Sequence, residues 1–199
     1  MDNNKIEILH PHQPYLFKLH YEFDWEAIKP ICDELLNDEN NKTIPILKNG
    51  LSSFTNKVQP HTHPAFFNFY SWLVPIVRNI ALQGLGYAFT DKLDISNSWL
   101  NLQNKGGHTI EHNHANCFIG TSTYLNIPEN SGYFECKDPL ELLNSSGYHN
   151  SSNWRWKEIK TISGDILVFP SWLIHRTQEN NTDEGRYVLT TNFINDFRK

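Results

Sequence analysis

What most limits the folds open to this chain is a change of character after Leu93. From there on, short segments rich in β-branched and aromatic residues alternate with Gly, Pro and Asn turns. This predicts strands at about 95–103, 109–114, 118–127, 132–136, 157–162, 165–169, 173–178 and 186–194. The first half reads differently. Tyr15 to Phe23 (YLFKLHYEF) alternates apolar and polar residues as a half-buried edge or entry strand does. Asp24 then serves as N-cap for a helix over WEAIKPICDELL, with Trp25, Ile28, Ile31, Leu35 and Leu36 at helical spacing and Pro30 marking a start or kink. Residues 37–60 show little periodicity and predict a long surface connection. Residues 64–86 form the most apolar stretch, read as a buried helix bent at Pro75 and ended by Gly84 and Gly86. Two helices followed by eight strands predict a mainly β fold with N-terminal helices, a β-sandwich or jelly roll with the helices stacked on one face.

A chain of 199 residues has room for one domain, divided here into helical support and lid (1–93) and β core (94–199). With 39% hydrophobic residues, Trp 6, Tyr 8 and Phe 12, it can bury a real core, which excludes global disorder. The net charge of −5 and the absence of any basic run argue against nucleic acid as main partner. No stretch approaches the ~20 apolar residues of a membrane span. The start MDNNKIEILHPHQ has no signal-peptide character, so the expectation is a soluble, cytoplasmic protein. Cys32, Cys117 and Cys136 form no CxxC pair and read as reduced filler.

The histidines point to metal chemistry. There are 10, several in pairs. His112-Asn113-His114 falls on the predicted strand 109–114, where both imidazoles would share a face and could bind one ion. His175, at the end of DILVFPSWLIH, would return to the same barrel mouth. Three ligands on one side leave positions open for substrate, and imidazoles suit Fe(II), Zn, Ni or Cu alike. The competing view makes His112 and His114 ordinary strand histidines. His61-Thr62-His63 has the same spacing but precedes Pro64 at a helix start and reads as capping or surface. Arg186 opens RYVLTTNF, whose alternation sets Arg186, Val188, Thr190 and Asn192 on one face. An arginine directed into a barrel needs an anion, and its planar fork suits a carboxylate. The alternative is a pair with Asp183 or Glu184 at the strand edge.

The runs SWLNLQNKGGHTIEHNHANCFIGTSTYLNIPENSGYFECKDP and GDILVFPSWLIHRTQENNTDEGRYVLTTNF resemble the Fe(II)/2-oxoglutarate-dependent oxygenases of marine phages and bacteria, distant relatives of prolyl hydroxylases. The resemblance covers about residues 97–195. It implies a double-stranded β-helix of cupin-like jelly-roll form that uses Fe(II), 2-oxoglutarate and O₂ to hydroxylate a small-molecule or peptide substrate. His112 takes the first place of the family's His-x-Asp/Glu motif and His175 the distal histidine. Arg186 and Tyr124 match the residues that hold the far carboxylate of 2-oxoglutarate. Asn101, Thr190 and Asn192 are further candidates for the cosubstrate pocket. The departure is His114, which stands where the family usually has a carboxylate. The same resemblance implies that His114 is nevertheless a ligand, completing a three-histidine site. Glu111 as substitute carboxylate faces the wrong way on a strand, and His108 reads as surface or support. Two other classes stay open: a cupin-like metalloenzyme that does not use 2-oxoglutarate, and a non-catalytic metal-binding barrel. The segments 37–60 and 140–156 are candidate lids, and homodimerisation is left open.

Overall fold

The computed structural model describes residues 7–8, 15–39, 41, 44–88, 90–139 and 156–195. The strands are β1 (Glu7–Ile8), β2 (Phe17–His20), β3 (Leu47–Ser52), β4 (Leu93–Thr109), β5 (Ile119–Asn126), β6 (Phe134–Lys137), β7 (Trp156–Ile159), β8 (Asp165–Pro170), β9 (His175–Thr177) and β10 (Arg186–Asn195). Two helices, α1 (Trp25–Leu36) and α2 (Phe67–Asn79), precede β4. An antiparallel sheet of seven strands runs β1-β2-β8-β5-β10-β4-β3, and a sheet of three runs β7-β6-β9. This is the expected jelly roll.

Alternation along the central strands builds both layers of the core. In β8, Ile166 and Val168 join the helix-side cluster, while Leu167 and Phe169 turn inward with Tyr124, Phe134 and Val188. A strand buried on both faces reads as a continuous apolar run, as DILVFP does. In β10, Leu189 and Phe193 face the helices. Arg186, Val188, Thr190 and Asn192 therefore fall on the opposite, inward face. Helix α1 starts where Asp24 accepts from Ala27 N (3.2 Å) and buries Ile28, Cys32, Leu35 and Leu36. Helix α2 buries Phe69, Tyr70, Leu73 and Val77, contains Pro75, and runs into a π-helical turn at Ile80–Gly84.

Three expectations need correction. The connection 37–60 contains β3, which LKNGLS hides because it has no β-branched residue and bulges at Lys48/Gly50. A Cβ on Gly50 would fall 2.3 Å from Leu102 O, so glycine is what lets this edge strand close on β4. The expected strand 95–103 runs on as β4 across Gly106 at φ 74° to Thr109, and the expected strand 109–114 does not form beyond that residue. His112 and His114 therefore lie beyond β4, and His112 makes only an isolated bridge to His175. The candidate lid 140–156 lies outside the described residues except for Trp156, which packs under Arg176 at 4.1 Å. Cys32 and Cys136 are buried and Cys117 is partly so, all as free thiols. Among the described residues no helix is long and apolar enough to cross a membrane.

Candidate metal centre and the adjoining polar pocket

Backbone pairing, not a common strand, gathers the three histidines. His112 N donates to His175 O (3.0 Å), His175 N donates to His112 O (2.9 Å), and His114 N donates to Ser171 O (3.0 Å). The rings then lie 4.2 Å (His112–His175), 5.0 Å (His114–His175) and 5.4 Å (His112–His114) apart between centroids. One ring nitrogen from each falls within 4.8 Å of the others, the only such cluster of histidine, cysteine and acidic groups among the described residues.

The outer nitrogens determine what the inner ones can do. His112 Nδ1 meets Ile110 O at 2.8 Å, His175 Nδ1 meets Leu173 O at 2.9 Å, and His114 Nδ1 meets Asn192 Oδ1 at 2.6 Å. Carbonyl and amide oxygens only accept, so each Nδ1 carries the proton and each Nε2 keeps its lone pair. Burial reinforces this by disfavouring the imidazolium. The Nε2–Nδ1 pair of His114 is pushed down to about 4, chiefly by desolvation and then by His112, with the Asn192 bond opposing. Desolvation, followed by its two neighbours, holds His175 well below the ordinary range, and desolvation lowers His112 against its backbone bonds. Phe134 stacks on His175 at 5.2 Å and 21°. Three neutral, desolvated imidazoles with convergent lone pairs fit a divalent cation. Among the described residues no carboxylate joins them: Glu111 is exposed and pairs with Lys137 (3.3 Å).

From this cluster a narrow pocket runs into the barrel, lined by Trp99, Asn101 and Gln103 of β4, Ser122 and Tyr124 of β5, Val188 and Thr190 of β10, and by Thr109, Phe134 and Thr177. Arg186 is 1% exposed and lies behind this wall. Its Nε donates to Gln103 Oε1 (2.6 Å), Nη1 to the carbonyls of Ser131 and Gly132, and Nη2 to Gln178 O (2.7 Å). Every partner is neutral. Asp183 pairs with Lys105 instead (2.8 Å), and among the described residues no carboxylate neutralises the guanidinium. Desolvation lowers Arg186 to about 10, with Tyr124 opposing. Tyr124 is 2% exposed, and its hydroxyl stands near Thr161 without a hydrogen bond of normal geometry. Burial pushes its phenol up, and Arg186 pulls it back. A buried cation held by neutral oxygens beside an unsatisfied phenol is chemically suited to an anion.

The remaining candidates separate. Thr190 lines the pocket. Asn101 does too, while its amide, with nitrogen toward Ser52 Oγ (2.7 Å) and oxygen toward Trp99 Nε1 (3.2 Å), serves internal hydrogen bonding. Asn192 faces His114 rather than the pocket interior. His63 caps the turn at Pro64–Phe66 through Ala65 N (3.2 Å), and His108 turns to Gly106 O (3.1 Å), away from the cluster. Gln103, Thr109 and Thr177 escaped sequence reading. Gln103 Nε2 donates to Thr109 Oγ1 (2.8 Å) and Thr177 Oγ1 (3.1 Å), linking Arg186 to the pocket wall. The alternation Trp99, Asn101, Gln103 along β4 was the available signal. A second, wider cleft opens outside the histidines, between Ile46, Phe54, Asn97, Trp99, Asn113, Asn116 and Asn192.

Residues 97–192 match the family model described as "Putative 2OG-Fe(II) oxygenase". No curated protein matches the chain. Among solved structures, the fold is similar to a prolyl-4-hydroxylase of Pseudomonas putida, at 14% identity and TM-score 0.62 over 91% of this chain and 92% of that one. It is similar to HygX of Streptomyces hygroscopicus with nickel and 2-oxoglutarate bound, at 15% identity and TM-score 0.63 over 95% and 88%. A prolyl hydroxylase of Trichoplax adhaerens in complex with a peptide fragment matches at 11% identity and TM-score 0.61 over 91% and 84%. The matched segment holds the three histidines, Tyr124, Gln103 and Arg186 on a jelly roll. Residues 97–192 are thus similar to the 2OG-Fe(II) oxygenase family, on a fold shared with structures of such enzymes.

Proposed function

We propose that the protein hydroxylates a C–H bond of a small-molecule or peptide substrate, with 2-oxoglutarate as cosubstrate. His112, His114 and His175 would hold Fe(II) through Nε2, and Tyr124 and Arg186 would take the far carboxylate of 2-oxoglutarate. Bound iron, cosubstrate and O₂ supply the oxidation, in which 2-oxoglutarate becomes succinate and CO₂ and one oxygen atom enters the product. The observation that carries this reading is the pairing of three convergent Nε2 lone pairs, at one narrow pocket, with an unneutralised Arg186 buried behind that pocket's wall and joined to it through Gln103.

The chain's own groups have definable tasks. The oxygens on Nδ1 of each histidine hold one tautomer and one ring orientation. Phe134, Val188 and Trp99 give this polar pocket apolar walls, which lower the local dielectric and strengthen charge interactions inside it. Gln103 accepts from Arg186 and orders two threonine hydroxyls, so its amide carries the cation's polarisation to the pocket wall. The outer cleft supports a substrate that is uncharged where it approaches the metal. Its described lining offers the Phe54–Trp99 ring pair (5.0 Å, 88°) and asparagine amides, and no Asp, Glu, Lys or Arg.

A cupin-like enzyme independent of 2-oxoglutarate would use the same three histidines but would leave Arg186 and Tyr124 without a task. The test is succinate formation from 2-oxoglutarate with Fe(II) in air, in wild type and in Arg186→Met. Succinate lost in the variant supports the reading; iron-dependent oxidation without succinate overturns it.

A further inference from the structure

Position 114 carries a histidine, whose imidazole is a longer and wider group than an aspartate carboxylate. Gly120 of β5 and Asn192 of β10 lie directly opposite each other in the sheet, so the two positions share one face. That face meets the His114 ring. A Cβ at position 120 would stand 2.8 Å from His114 Nδ1, 3.1 Å from its Cε1 and 2.9 Å from Phe169 Cε2. The ring has no room to retreat, because Phe169 (5.6 Å, edge-on) and Trp99 (6.1 Å) flank it. Asn192 Oδ1, at 2.6 Å, takes the proton of the same Nδ1. A shorter carboxylate at 114 would need neither the empty space at 120 nor an acceptor at 192.

We propose that Gly120 and Asn192 are a matched pair of positioning residues that install an imidazole as the third metal-binding group, Gly120 by leaving the volume the ring fills and Asn192 by fixing its Nδ1–H tautomer. The proposal rests on the reading of the three histidines as the metal site. Its consequence is electrostatic: three neutral donors leave a divalent ion at its full charge, one unit above a site with a carboxylate, so the neutralising charge must come from an anionic cosubstrate.

The test is Co(II) binding to the full-length metal-free chain, followed by visible absorption. Gly120→Ala and Asn192→Leu are each expected to weaken Co(II) by about 10- to 100-fold, the range for residues that orient a ligand. In a His114→Asp background each should change affinity by less than about threefold, since the group they serve is gone. Equal losses in both backgrounds would overturn the pairing and make both residues merely structural. A second readout is the ring-nitrogen NMR of His114: the Nδ1–H tautomer is expected in wild type and lost in Asn192→Leu, and a tautomer unmoved by that change would overturn the role of Asn192. If Gly120→Ala fails to fold, the Asn192 arm alone decides. Unchanged Co(II) binding in both His112→Ala and His175→Ala would sink the metal site and the pair together, whereas normal losses there with additive cycles sink the pair alone.

Discussion

The two ends of the inward-facing pocket handle buried polarity in opposite ways. At the histidine end every proton is assigned: three Nδ1–H groups are satisfied by Ile110 O, Leu173 O and Asn192 Oδ1, and three lone pairs face one another. At the arginine end the hydrogen bonds are nearly complete but the charge is not, and among the described residues the Tyr124 hydroxyl has no hydrogen bond of normal geometry. The first end is preorganised for a cation and stable without it. At the second, under the proposed reading, the carboxylate of the cosubstrate would supply the charge that the neutral partners of Arg186 do not.

The sharpest way to break the comparison is to remove one member from each end. His175→Ala should reduce Fe(II) affinity by more than about 100-fold, beyond what loss of a merely orienting residue costs. Arg186→Met should leave Fe(II) affinity within about threefold yet weaken 2-oxoglutarate by about 100-fold or more, as loss of a buried charge partner does. Isothermal titration in each order of addition separates the two. If Arg186→Met weakens metal and cosubstrate equally, the ends are not distinct.

Acid should act on the histidine end of the metal-free protein. His114 is lowered from its ordinary value to about 4 in the fold, so between about 6.5 and 4 the unfolded chain binds the extra proton and the folded one does not. Stability therefore falls as pH drops through that window and levels off below it. His114 alone accounts for about 2 kcal/mol at pH 5. Denaturant midpoints at pH 7.5 and 5 check this, and His114→Gln should shrink the difference by about that amount, leaving the share of His175 and His112.

The smallest effect probes the arginine end. Tyr124→Phe removes a buried hydroxyl without a partner, which should raise the stability of the ligand-free protein by about 1 kcal/mol while weakening 2-oxoglutarate. Thermal melts with and without 2-oxoglutarate should show the gain and a smaller ligand-induced shift. A destabilised ligand-free Tyr124→Phe would mean that the hydroxyl is already satisfied.

Much of the fold was legible because it rests on local patterns. The alternation in RYVLTTNF put Arg186, Thr190 and Asn192 on the inner face, and Asp24 capped α1 as its chemistry requires. The His-x-His pair does meet His175 as the sequence suggests, but not through a shared strand. The expected strand ends at Thr109, and long-range pairing with His175 and Ser171 brings the rings together. Strand β3 escaped because its signal lies in the fit of Gly50 against Leu102 O, which no local pattern carries. Asn192 was placed on the correct face but assigned to the cosubstrate, since only the fold shows that it meets His114.

The most direct measurement is an anaerobic titration of the metal-free chain with Fe(II) and then 2-oxoglutarate, monitoring the visible charge-transfer band of the chelate. The account predicts a band in wild type, none in His112→Ala, and one in Arg186→Met that appears only at about 100-fold more 2-oxoglutarate. Iron binding without a band in wild type, or a band of equal affinity in Arg186→Met, would contradict it.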